Sequence, residues 1–358
     1  MLAGAVGLVA GAAPSAEAVA REKREEVVSR LLGDMGLRER IAQLFIFQAD
    51  QTVMPTWYRD LLEQVKPGGV IFVQPNIGSP DQISRYIRAI HRSNKPVPPF
   101  VAIDQEGGDV VRLGGDPAPG AMELGRLRPD DARASARDRA RFLADFGFDV
   151  NFAPVADVAY KSTSTMYLRS FGNDPLAVAE TVAQVVRGSR QLDIMGAVKH
   201  FPGHGRTTID SHVKVPQVTL TWNQWKKSDG VPFRAAIDAG VEMVMVGHLR
   251  YSEWDDQPMS LSKVAVSKLR NNLNYDRVIL TDDLGMGAFS GFDPFDVLDR
   301  AIGAGMDMLL YTKTPAGWQQ MIDHVEQRVR AGDVSRKRID ASVRRILRLK
   351  VDHFRLKG

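Results

Sequence analysis

Eight times between residues 41 and 313 a short apolar run breaks off in polar residues, and most of these runs are followed by an amphipathic stretch. The runs are IAQLFIFQAD (41–50), GGVIFVQPN (68–76), PPFVAIDQE (98–106), FDVNFAP (148–154), GAVKH (196–200), VEMVMVGH (241–248), RVILTDD (277–283) and DMLLYTK (307–313). Near-continuous Val, Ile, Leu, Met and Phe is what a strand buried on both faces requires, as in a parallel sheet. DQISRYIRAIHRS (81–93), DARASARDRARFLADF (131–146), LAVAETVAQVVRGSRQL (176–192) and FDVLDRAIGAG (295–305) carry helical patterns between them. Strand and helix in alternation about eight times predicts an α/β fold, a TIM-like (β/α)8 barrel in a single domain. An open doubly wound sheet is the alternative, but no GxGxxG follows a first strand and no Walker A sequence occurs. In a barrel, the polar residues that end each run converge on one mouth.

Composition narrows the chemistry. The chain has no cysteine, which excludes disulfides, zinc–thiolate sites and a thiol nucleophile. Its 47 basic and 43 acidic residues leave a net charge of +4, too small an excess to argue for a nucleic-acid partner but compatible with an anionic polymer. The densest basic run, SRKRIDASVRRILRLK (335–350), spaces Ile339, Val343, Ile346, Leu347 and Leu349 as a docked amphipathic helix with a solvated basic face. At the other end, residues 1–13 are small and apolar, followed by Pro14 and an Ala16-Glu17-Ala18 triplet. This resembles the apolar region and cleavage site of a secretory signal that lacks its basic start. Residues 1–20 are therefore read as a truncated signal peptide or a disordered tail, and export to the periplasm or medium is expected over a cytoplasmic location. No other segment reaches 18 apolar residues, so no membrane span is expected.

The segment KHFPGHGRTTIDSH (199–212) holds three of the seven histidines. His200 and His204 stand four apart, but Pro202, Gly203 and Gly205 forbid the helix that would pair them. A metal site from His200, His204, Asp210 and His212 is one reading. The other is an acid/base dyad: in Asp210-Ser211-His212 an extended backbone puts residues i and i+2 on one side, so Asp210 can orient the imidazole. In TDDLGM (281–286), Asp282 ends a buried strand and would point into the mouth, where a carboxylate can attack an electrophilic carbon, while Asp283 should point elsewhere. Helix N-capping is the competing reading of that acidic pair. In IDQEGGDVVRL (103–113), Asp104 and Arg112 flank a Gly-Gly turn through which the backbone could pass close to a ligand, and RSFGNDP (169–175) supplies Arg169 before another glycine turn.

Taken together, IDQEGG, RSFGNDP, KHFPGHG with DSH, TDDLGM and the closing IDASVRRILRLK resemble the β-N-acetylhexosaminidases of glycoside hydrolase family 3, in the family's order and over about residues 25–356. The resemblance implies a barrel domain with a retaining mechanism and no metal or cofactor. It implies Asp282 as nucleophile, His212 as general acid/base and Asp210 as its partner, with Asp104, Arg112, Arg169, Lys199 and His200 holding the terminal sugar. Two departures stand out: Asp109 where the family usually has Arg after EGG, and TDDLGMGAFSGF where a Ser start and a Glu after Met are commoner.

The expected activity is removal of terminal β-linked N-acetylglucosamine, with muropeptide or other oligosaccharide as substrate and a monomer as the working unit. Phosphorolysis or β-glucoside cleavage within the same family is one alternative, and a sugar-binding protein without catalysis is another. The loop carrying His212 is expected to close on substrate.

Overall fold

A computed structural model describes residues 15–211, 213–314 and 316–357 of the chain. Its strands are β1 (Phe45–Gln48), β2 (Gly69–Phe72), β3 (Phe100–Ile103), β4 (Val150–Asn151), β5 (Met195–Phe201), β6 (Gln217–Val218), β7 (Met243–Val246), β8 (Arg250–Tyr251), β9 (Val278–Asp283) and β10 (Met308–Tyr311). Eight of them close a parallel barrel in the order β1-β2-β3-β4-β5-β7-β9-β10, and each of the eight expected runs supplies one strand. Closure comes from β10 pairing with β1, Phe45 opposite Leu309 and Phe47 opposite Tyr311, which rules out the open sheet. The two remaining strands, β6 and β8, pair only with each other, outside the barrel.

Side chains alternate along each strand with period two. Ile46, Ile71, Phe100, Ala102, Val150, Met195, Ala197, Met243, Met245, Val278, Leu280, Met308 and Leu310 fill the barrel interior as one cluster. Their neighbours, among them Val101, Val198, Val244 and Ile279, are equally buried against the surrounding helices. The inward series Phe100–Ala102, Met195–Ala197 and Val278–Leu280 continues to Asp104, Lys199 and Asp282, so the next layer toward the C-terminal mouth is charged.

The expected helices are present as Pro80–Ser93, Pro129–Phe146, Pro175–Arg190 and Pro294–Ala304. Each begins with Pro in its first turn, where a missing N–H costs nothing. Helix Arg336–Phe354 docks as its apolar spacing requires, and Ile346 plugs the barrel floor. Beside it Lys350 is fully buried, with Nζ donating to Gln43 Oε1 at 2.8 Å. Burial pushes its ammonium down to about 7.

Three acids that immediately precede strands staple this floor. Asp149 accepts from the Val101 amide at 2.7 Å, Glu242 from Gly196 at 3.0 Å and Asp307 from Ile279 at 3.0 Å. Each thereby ties the start of one strand to its neighbour and satisfies a buried backbone donor.

Helix Ala16–Asp34, capped by Ser15 Oγ, packs on helix Arg336–Phe354 through Val28, Leu31 and Leu32 and through a bidentate Arg348–Glu25 pair. Its first turns include Ala16–Ala20, part of the segment expected as a tail. The apolar run 1–13 lies outside the described residues. Among the described residues no helix is long and apolar enough to cross a membrane.

Candidate active site

The charged layer at the mouth is a continuous network. Lys199 Nζ lies 2.6 Å from Asp104 Oδ1 and 2.7 Å from Glu106 Oε1. Glu106 also receives both arms of Arg169, at 2.8 Å each. Arg169 Nη2 donates to His200 Nε2 at 3.4 Å, and His200 Nδ1 lies 2.7 Å from Asp157 Oδ2. Arg112 completes the set at 3.9 Å from Asp104. Five residues expected at the sugar site, Asp104, Arg112, Arg169, Lys199 and His200, are thus brought together from β5 and the loops after β3 and β4.

Burial would favour uncharged forms here, but the partners prevail. Desolvation raises the Glu106 carboxyl, yet Lys199 and Arg169 hold it well below the ordinary carboxylate range. Lys199 is desolvated too, and Asp104 and Glu106 raise it above its usual value, so it remains an ammonium. Arg112 Nε is buried and makes no hydrogen bond.

Asp282 faces this network from β9, recessed but partly open. Burial works against its charge, while His200, His248, the Asp283 amide and Lys199 outweigh it and hold the carboxyl at about 2. The amide of Asp283 donates to Asp282 Oδ1 at 2.8 Å, fixing the carboxylate. Asp283 does turn away: its Oδ1 accepts from the amides of Gly285 and Thr312, and its Oδ2 from Thr312 Oγ1. It clamps the ends of β9 and β10 together rather than capping a helix. His248 donates from Nε2 to the Asp283 carbonyl at 2.9 Å and accepts at Nδ1 from Ser260 Oγ at 2.8 Å, a brace under the carboxylate.

The loop leaving β5 has two halves. Phe201–Gly205 are buried, the cis peptides Lys199–His200 and Phe201–Pro202 lie at its root, and Trp225 Nε1 donates to the Pro202 carbonyl at 2.6 Å. A Cβ on Gly205 would lie 2.0 Å from the Val158 carbonyl oxygen, so only glycine lets this root lie against the chain after β4. Arg206 and Thr208–Asp210 are exposed, and the Asp210 carbonyl accepts from the amides of Val213 and Lys214. His212 lies outside the described residues. The root of the loop is packed, and just beyond it Arg206 Nε donates to Asp229 Oδ2 at 2.8 Å.

The Gly-Gly turn differs from expectation as well. Gly107 has φ +85°, and a Cβ there would come within 2.2 Å of Arg139 Nη2. The glycine makes room for a buried arginine that holds Asp116 and the carbonyls of Ala118 and Pro119. Asp109 is exposed at the same turn.

Sequence reasoning missed Glu106 as the hub between Lys199 and Arg169, and missed Asp157 altogether. The signal for Asp157 was a lone acid in the apolar stretch FAPVADVA. Conversely, Asn151 and Asn76 at strand ends are scaffold: Asn151 exchanges reciprocal hydrogen bonds with the Gln105 backbone, and Asn76 donates to the carbonyls of Ala49 and Gln51.

Among the described residues no group of three or more His, Asp or Glu side chains is arranged to hold a metal ion. His200 is committed to Asp157, and His204 reaches Thr165 Oγ1 at 3.3 Å. A cavity of about 590 Å3 opens on the opposite, N-terminal face. Three of its arginines are spent in pairs, Arg190 with Glu242, Arg348 with Glu25 and Arg24 with Asp352.

Comparison with known proteins places residues 36–349 in a match to the N-terminal domain of glycosyl hydrolase family 3. The chain is 35% identical to a beta-hexosaminidase of Nitrosospira multiformis over 71% of its own length and 76% of that protein's. It is 34% identical to the beta-hexosaminidase LpqI of Mycobacterium tuberculosis over 87% of its own length and 82% of that protein's. Its fold superimposes on a family 3 beta-N-acetylglucosaminidase from Paenibacillus sp. FPU-7 with a TM-score of 0.86 and 31% identity. That alignment covers 90% of this chain, which spans 64% of the Paenibacillus chain.

Proposed function

Because the chain belongs to glycosyl hydrolase family 3, and is accordingly a glycoside hydrolase, we propose that it is a retaining exo-β-N-acetylglucosaminidase. The substrate we assign is a terminal N-acetylglucosamine on an oligosaccharide, with peptidoglycan fragments as its source. The observation that carries this reading is the position of Asp282. It is the last inward residue of β9, ionised, facing a polar network that presents Asp104, Arg112, Arg169, Lys199 and His200 to one ligand.

In this mechanism the sugar hydroxyls and N-acetyl group meet the network, where carboxylate acceptors and guanidinium or ammonium donors alternate. Arg112 Nε has no protein partner among the described residues to give up. The sugar's anomeric carbon then lies over Asp282. The carboxylate forms a bond to that carbon as the glycosidic C–O bond breaks, and the His212 imidazolium gives its proton to the departing oxygen. In the second half-reaction His212 takes a proton from water, the water oxygen bonds to the anomeric carbon, and Asp282 leaves as a carboxylate. Asp210 keeps the imidazole oriented. A carboxylate held near 2 is ionised at any pH near neutrality, as the attacking group must be. We further propose that the enzyme acts as a monomer and that it is exported, the latter on the apolar character of residues 1–13.

A panel of nitrophenyl N-acetylglucosaminide, glucoside and xyloside, with and without phosphate, tests the assignment. Hydrolysis confined to the N-acetylglucosaminide is expected; release of a sugar 1-phosphate would replace hydrolase by phosphorylase. Asp282→Ala should lose activity by about 10^4-fold or more. His212→Ala should be slow on disaccharides and far less impaired on nitrophenyl substrates, whose leaving groups need no proton. Equal losses on both would remove His212 from the acid role.

A further inference from the structure

Asp157 is fully buried just beyond β4. The chain there extends the barrel ladder: Val155 bridges Lys199 in parallel, and the Ala156 amide donates to the Lys199 carbonyl at 2.6 Å. This register sets Asp157 beside His200. Its Oδ2 takes His200 Nδ1 at 2.7 Å, and its Oδ1 accepts the backbone amides of His204 at 2.6 Å and His200 at 3.3 Å. Both oxygens are used, one on the ring that faces the sugar site and the other on the root of the loop that leads to His212. On the far side of the ring, Arg169 Nη2 lies 3.4 Å from Nε2. A guanidinium can only donate, so Nε2 accepts and the proton of the ring sits on Nδ1, pointing at Asp157.

We propose that Asp157 is a positioning residue with two tasks in the reaction assigned above, on which this inference rests. It locks His200 in the Nδ1–H form, leaving Nε2 directed at Arg169 and the sugar, and it pins the loop root so that the acid/base histidine is delivered from a fixed base. The carboxylate touches no reacting atom. It acts through His200 on sugar binding and through the His204 amide on protonation of the leaving group.

Long-range 1H–15N correlation spectra of the wild-type protein read the His200 tautomer directly. Nδ1–H is expected, and Nε2–H overturns the first task. Asp157→Asn replaces an acceptor by a donor opposite Nδ1 while its remaining oxygen still serves His204. It is expected to raise KM about tenfold on both nitrophenyl N-acetylglucosaminide and diacetylchitobiose, the loss of one charge-assisted hydrogen bond. In a His200→Ala background the same substitution should change KM less than about twofold. A full effect there overturns the proposal. Asp157→Ala should add a fall in kcat confined to the disaccharide; a fall on both substrates alike overturns the second task. If Asp157→Ala does not fold, slowed exchange of the His204 amide, expected in wild type and in Asp157→Asn, decides that task instead: rapid exchange in wild type overturns it. A wild-type protein inactive on both substrates would refute the assigned reaction instead, and the tautomer spectrum would still judge the hold of Asp157 on His200.

Discussion

Glu106 shows how a single residue can organise a site without facing the chemistry. It is 5% exposed and balances two cations, Lys199 and Arg169. Replacing it by Gln leaves two buried charges short of a partner. Removing one member of such a network costs about 3–5 kcal/mol, so Glu106→Gln should lower stability by that order and raise KM, with urea unfolding and steady-state kinetics as the checks. Unchanged values in both would mean that Asp104 alone satisfies Lys199. The motif IDQEGG displayed this acid in the sequence, but local spacing cannot tell a ligand contact from the support beneath it. Only the positions of Lys199, some ninety residues on, and Arg169 assign Glu106 its role.

At the level of elements, strand ends and loop roots do different work from loop tips. The acids before β4, β7 and β10 hold the floor, while the acids and cations at the C-terminal ends of β3, β5 and β9 make the mouth. The eight strands were legible because burial on both faces demands apolar runs. The small β6–β8 pair was not, since two-residue strands carry no period. The packed root of the β5 loop was equally hidden, because its glycines read as freedom and serve close approach. Gly205→Ala should therefore cost about 1–3 kcal/mol by driving a methyl into the Val158 carbonyl. Gly303→Ala, in helix Pro294–Ala304 with nothing within 4 Å of the new methyl, should stabilise by about 0.5–1 kcal/mol. Denaturation midpoints of the two variants give the contrast, and equal shifts would contradict it.

For the whole molecule, buried titratable groups tie stability to pH. Burial depresses His204 to about 4 from the usual 6.5. Between those values the unfolded chain binds the extra proton, so stability falls as pH drops from 6.5 toward 4, by up to about 3 kcal/mol from this group. Below that, Asp282, Glu106, Asp149 and Asp157, all held below their ordinary values, withdraw their stabilisation as they protonate. On the alkaline side Lys350, near 7 when folded and 10.5 when not, makes stability rise with pH between those limits. Lys350→Met should remove that rise and gain about 1–3 kcal/mol at pH 7, after the lost bond to Gln43 is counted. Melting curves from pH 4 to 10 test both limbs, and a profile flat in wild type would refute them.

The amino-acid order alone determined the barrel, because eight apolar runs with helical connections leave few ways to bury every strand on both faces. It also marked Asp104, Arg112, Arg169, Lys199, His200 and Asp282, through motifs whose residue types suit a sugar and an electrophilic carbon. The tertiary structure alone decided which acids pair with which cations, and so which of them remain charged. Asp157, Glu106 and His248 owe their roles to neighbours that chain closure brings alongside, at separations no local pattern encodes. Ionisation in a desolvated mouth depends on those neighbours, and the nucleophilic role proposed for the carboxylate on β9 requires it.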